Sequence, residues 1–205
     1  RSLQYVKPFN GLILSFPEEK SISGQGVMHE GTTSTYLGLK GIPALAEELM
    51  VERDIHLAEY SDSKIHFANI TSKKAIDMLA KAKKNKLKVT AGVGAQYFAL
   101  DESQLMEYDT HLKVNPPLRT KDDIKAIKKA LKDGIIDVIS SSHVPHDEEA
   151  KKKEFDFADF GMINLETAFA LACTNLSNEM SIEKIIHALS NAPRKIFNQK
   201  DIIIK

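Results

Sequence analysis

Histidines at short spacing are the first candidates for chemistry in this chain. His143-Val144-Pro145-His146 offers two imidazoles three residues apart, and three serines, Ser140 to Ser142, stand just before them. His66 opens a second phrase, His66-Phe67-Ala68-Asn69. Paired imidazoles suit a transition metal, but a structural zinc site needs about four donors. An i, i+3 pair on a loop supplies two, so packing and hydrogen bonding are the default roles for His143 and His146. His66, on a strand, reads as a satisfied core histidine. His29, His56, His111 and His187 have no obvious partners. Cys173 is the sole cysteine, which excludes an intrachain disulfide and a Cys-based zinc site, and makes a reducing, cytoplasmic setting the default.

The elements that must position these residues alternate. Leu12-Ile13-Leu14-Ser15, Ile65 to Ile70, Leu87 to Val93 and Ile135 to Ser141 are short, nearly continuous apolar runs. Such runs read as strands buried on both faces. Each is followed by a helical stretch. Ala46, Leu49, Met50 and Leu57 mark the first core-facing stripe, Ile76, Leu79 and Ala80 the second, and Ile124, Ile127 and Leu131 the third. Thr120 with Asp123 forms a variant capping box, and Gly134 stops that helix. Further helices are expected over about 165–176 and 181–189. The stretch between the first strand and Pro43 reads as a glycine-rich loop. Asn115-Pro116-Pro117 is a rigid turn that no central strand could hold.

Four strand–helix units imply a parallel α/β sheet, either doubly wound or half of a (β/α)8 barrel. The first strand lacks a G-x-G-x-x-G, and no Walker sequence occurs, which disfavours a nucleotide-binding doubly wound sheet. The 205 residues carry 28 basic and 28 acidic side chains. Zero formal charge disfavours a nucleic-acid binder. With 42 % apolar and 27 % charged residues the chain is of ordinary globular composition, and no apolar run approaches the ~18 needed to span a bilayer. Arg1 to Lys7 reads as the tail of a helix, and Asp201 to Lys205 as a strand that stops; both suggest a piece of a longer protein.

Several phrases, in order, resemble the dihydroorotase branch of the amidohydrolase superfamily. They are Gly26-Val27-Met28-His29-Glu30-Gly31, Leu37 to Pro43, Ala46-Glu47-Glu48, Asn115-Pro116-Pro117-Leu118-Arg119, Lys132 to Ile139, His143-Val144-Pro145-His146, Phe160-Gly161 and Ala192 to Phe197. The resemblance implies a (β/α)8 TIM barrel of the metal-dependent hydrolase type. Only strands 5 to 8 would be here, with residues 1–198 the C-terminal half-barrel and 199–205 the start of a truncated β domain. It implies partners too: the missing N-terminal half, a second copy, or aspartate transcarbamoylase.

Active members of that family use zinc to open or close a cyclic amide. This chain departs from the pattern. Where the family has His-Cys-Glu, it reads Ser15-Phe16-Pro17-Glu18, which puts Ser15 at a former ligand position. Where the family has His-x-x-His-x-Ser, Asn69 replaces the second histidine. Where it has Thr-Asp-His-x-Pro-His, Ser142 replaces the catalytic aspartate. Where it has Glu-Val-x-Pro-His-His, Gly92 to Tyr97 stand. No metal or intact catalytic residue is therefore expected in this chain. Asn115, His146, Phe160 and Gly161 match positions that bind substrate. Two readings stay open: a catalytically silent, structural or regulatory homologue in pyrimidine biosynthesis, and an active cyclic amidohydrolase whose divergent site the missing half completes.

Overall fold

The computed structural model describes residues 1–200, so the strand expected over 202–204 lies outside the described residues. After helix α1 (Ser2–Val6) the four expected strands form, as β1 (Leu12–Ser15), β4 (Lys64–Phe67), β5 (Val89–Gly94) and β6 (Val138–Ser140). They make one sheet in the order β1-β4-β5-β6, and every pairing is parallel. Sequential parallel strands with a helix between each pair are half of a (β/α)8 barrel.

The connecting helices are α4 (Leu45–Ser61), α5 (Lys73–Lys84) and α6 (Lys121–Lys132). Thr120 caps α6 as expected: its Oγ1 accepts from the Asp123 amide at 3.3 Å. Beyond β6 come α7 (Glu148–Lys151), α8 (Ala168–Leu176), α9 (Ile182–Ile186), a π-helical turn at His187–Asn191 and α10 (Ala192–Ile196). Among the described residues no helix is long and apolar enough to cross a membrane.

The glycine-rich stretch after β1 is more than a loop. It folds into α2 (Lys20–Ser23), β2 (Met28–His29), α3 (Thr32–Leu37) and β3 (Gly41–Ile42), with β2 and β3 paired in parallel. Two-residue strands leave no periodicity to detect. Their pairing depends on close approach: a Cβ at Gly26 would meet the Gly41 carbonyl oxygen at 2.5 Å, and one at Gly41 would meet the Glu30 Cα at 2.5 Å.

Strand alternation divides the sheet. Ile65, Phe67, Val89, Ala91, Val93 and Ile139 pack with Leu79 and Ile127 of the helix layer. The other face carries Leu14, His66, Ala68 and Val138, which line an open basin of about 790 Å³ with Phe169 and Phe197. Leu14 is 57 % exposed there.

Helix α4 departs from its expected stripe. Ala46, Val51, Asp54 and Ala58 are buried, whereas Leu49 and Leu57 are exposed. The helix is apolar on two sides, so apolar pattern alone does not identify the inward one. Inward lies the side bearing Glu47 and Asp54, because their partners are Thr71 in the loop after β4 and Ser15 at the end of β1.

Candidate functional site

Barrel chemistry sits where strands end and loops begin, and here the ends of β4, β5 and β6 converge on neutral amides and hydroxyls. Asn69 accepts a hydrogen bond at Oδ1 from the Gly94 amide (2.7 Å) and donates from Nδ2 to Ser142 Oγ (3.3 Å). Gln96, 1 % exposed, accepts from Asn164 Nδ2 at 3.1 Å. Asn164 also donates to the Ser141 carbonyl (2.8 Å) and accepts from Thr167 Oγ1 (2.6 Å). A Cβ at Gly94 would lie 2.7 Å from both Gln96 Oε1 and Ser142 Cβ. The glycine is required for this packing. The structure thus brings Asn69 and Ser142 together and fills the space between them with their own hydrogen bonds.

Ser15 does not join them. Its Oγ donates to Asp54 Oδ2 of α4 at 2.7 Å, and Arg53 also holds that carboxylate. Strand alternation turns Ser15 toward the helix layer, and the next residue, Phe16, is 48 % exposed. The expectation that Ser15 stands at a strand-end ligand position is corrected accordingly. Setting Glu18 against the glutamate of the His-Cys-Glu phrase puts Phe16 at the histidine position.

Three of the four substrate-side candidates meet. His146 Nε2 donates to the Phe160 carbonyl at 3.0 Å. Gly161 approaches so closely that a Cβ would lie 2.4 Å from the Val144 carbonyl oxygen. His146 and Gly161 line a cavity of about 480 Å³ with Leu100, Met162 and Thr167. Asn115 sits elsewhere, donating from Nδ2 to Glu18 Oε2 at 3.0 Å. Glu18 also pairs with Lys20; hydrogen bonds from Lys20 and Asn115 hold its carboxyl below the usual range, against the opposing effect of burial. In the sequence it stood out only as the last residue of the Ser15-Phe16-Pro17-Glu18 phrase. His143 Nδ1 accepts the amides of Asn164 and Leu165 at 3.1 and 3.2 Å, which leaves its proton on Nε2. That is a structural bond, as its type and spacing suggested. His66 Nδ1 lies 2.8 Å from Thr90 Oγ1, with the Phe197 ring packed edge-on at 5.8 Å; burial pushes its pKa down.

A buried ionic network supports the strand ends. Arg119 and Glu47 side chains are each 2 % exposed and pair at 3.1 Å. Arg119 donates also to Thr71 Oγ1 and to His29 Nδ1, both at 3.0 Å. Glu47 Oε1 accepts the amides of Thr71 and Ser72 at 2.9 Å. Both residues lay in sequence phrases noted above, but residue type could not show that they meet.

Burial, helped by the Arg119 charge, pushes the His29 pKa down to about 4 from 6.5. An unfolded chain therefore binds a proton at His29 that the folded chain refuses between those values. Stability is expected to fall as pH drops from about 6.5 to about 4, by up to about 3 kcal/mol. Glu102, 4.0 Å away and raised by its own burial, acts in the opposite sense near its titration. Urea unfolding of wild type and His29→Gln across that range checks the sign: the variant should have the flatter profile. Parallel profiles would refute it.

No protein-family model matches the chain. Curated relatives do. A dihydroorotase from Endomicrobium trichonymphae is 42 % identical over 97 % of this chain and 47 % of its own length. One from Pelotomaculum thermopropionicum is 48 % identical over 86 % of this chain and 41 % of its own. By sequence the chain is similar to part of these dihydroorotases. It spans about half the length of the dihydroorotases it matches. Solved structures give the same fold. An L-hydantoinase from Arthrobacter aurescens superposes with a TM-score of 0.81 at 21 % identity, over 96 % of this chain and 45 % of that one. A Saccharomyces cerevisiae dihydroorotase in complex with 5-fluoroorotic acid gives 0.77 at 19 % identity, over 98 % and 53 %.

The donor set at the strand ends does not suit a metal. Asn69, Ser142 and Gln96 are neutral oxygen or amide groups, Asn69 bonded to Ser142 and Gln96 to Asn164, and such groups hold zinc poorly beside imidazole or carboxylate. Among the described residues no three His, Cys, Asp or Glu side chains stand close enough to share an ion.

Proposed function

We propose that this chain is the C-terminal half-barrel of a dihydroorotase-like protein that has lost its share of the catalytic centre. It acts without catalysis, as a structural or regulatory homologue in pyrimidine biosynthesis. Residues 1–198 supply strands five to eight. The observation that carries this reading is the closed Asn69–Gly94–Ser142 cluster, where former ligand and proton-transfer positions bond to one another. Active relatives would hold zinc at such strand ends; among the described residues no group of three His, Cys, Asp or Glu side chains is gathered for it.

Two sheet edges and an open apolar basin support a partner half, supplied by the same polypeptide or a separate one. An unpaired edge is a template for strand addition. The assembled protein docks to other proteins through its surfaces, aspartate transcarbamoylase being the partner the family suggests. The retained contact of His146 with Phe160 and Gly161 favours a second property: a binding site for an orotate-like carboxylate that outlives the chemistry.

The test is to purify the chain with the complementary half of a relative, then measure bound zinc and turnover of dihydroorotate. Background turnover supports a silent homologue. Metal-dependent turnover overturns it in favour of an active cyclic amidohydrolase with a divergent site.

A further inference from the structure

Between Lys152 and Thr167 the chain has no regular helix or strand, yet it must deliver Phe160 and Gly161 to His146. Two lysines meet this stretch from below. Lys113 and Lys151 are 2 % and 7 % exposed, and long charged side chains are rarely buried so far unless paired. Their partners are carbonyls. Lys113 Nζ donates to the Phe155 and Asp156 oxygens at 2.7 and 3.1 Å. Lys151 Nζ donates to those of Asp159 and Gly161, both at 2.8 Å. The Lys113 ammonium also lies over the Phe160 ring, 4.7 Å from its centre, and 5.6 Å from that of Phe155. The anchoring is reciprocal: the Gly161 amide donates to the Lys113 carbonyl (2.8 Å), and Thr110 Oγ1 to that of Lys151 (2.6 Å).

A buried ammonium is costly unless its protons find acceptors, and an unpaired buried carbonyl is costly too. Here each group satisfies the other. The folded segment solvates the two charges, and the two charges determine where its carbonyls point.

We propose that Lys113 and Lys151 are the positioning residues of segment 152–161, holding Phe160 and Gly161 in place against His146. The proposal deepens the binding-site reading above but does not need a ligand for its test. In wild type, in whatever assembly the protein forms, nitrogen-15 spectra should show two lysine Nζ signals with solvent-protected protons. Lys113→Gln and Lys151→Gln should each delete one. Each should also speed amide exchange over 154–162 at least tenfold while β4 and β5 stay unchanged. The exposed neighbours Lys152→Gln and Lys153→Gln should do neither. Absence of protected ammonium signals in wild type overturns the proposal, even if a variant fails to fold. So does exchange that rises equally in β4, β5 and the segment. Failure to bind 5-fluoroorotate would overturn the binding-site reading and leave this one standing.

Discussion

Ser142→Asp alone is expected to leave dihydroorotate turnover at the uncatalysed background, even with the complementary half present. A well-placed acid–base group contributes roughly 10²–10⁴-fold, but only to a reacting water that is already activated. Beside Ser142 stand Asn69, which donates to it, and Gly94, packed within contact of its Cβ. None of these activates water. The backbone permits the change, because Ser142 has φ 49° and aspartate tolerates that left-handed conformation. A null result would therefore reflect chemistry and not misfolding. The discriminating comparison adds Phe16→His and Asn69→His to Ser142→Asp. The triple variant should exceed the single one by at least about 100-fold, within that same range. Replacing Phe16 by Ser15→His in the triple should gain nothing, since Ser15 faces Asp54. A 100-fold gain from Ser142→Asp by itself would show that the rest of the site is intact.

Arg119→Met should cost about 3–5 kcal/mol of stability, the range for removing one partner of a buried pair. Glu47 would be left 2 % exposed and without its guanidinium, while Thr71 Oγ1 and His29 Nδ1 would each lose a donor. Against a total of roughly 5–15 kcal/mol for a typical protein, that loss brings the fold near its limit. Glu47→Gln in the same background should recover part of it, because the orphan charge goes while the Thr71 and Ser72 amides keep an acceptor. Urea midpoints of the two single variants and the double variant measure this. A cost below about 1 kcal/mol for Arg119→Met, or strict additivity in the double, would show that the network is not coupled.

The sequence by itself determined the parallel α/β architecture. Buried strands such as Val89–Gly94 are apolar but for Thr90, and α5 and α6 show a clear 3.6-residue stripe, so local pattern and tertiary burial agree. Phrase by phrase it also carried the resemblance to the dihydroorotases. What tertiary structure alone decided are matters of direction and meeting. Which side of α4 faces inward depends on where Glu47 and Asp54 find partners, 24 and 39 residues away in sequence. Strands β2 and β3 exist because two glycines let backbones touch, with no periodicity to announce them. Leu14 and Ser15 differ by one position, and in a strand one position exchanges the barrel side for the helix side. Residue types define which bonds are available; only the fold brings Asn69 to Ser142 and Lys113 to the carbonyls of Phe155 and Asp156, because hydrogen bonds act over about 3 Å and chain separation sets no such distance.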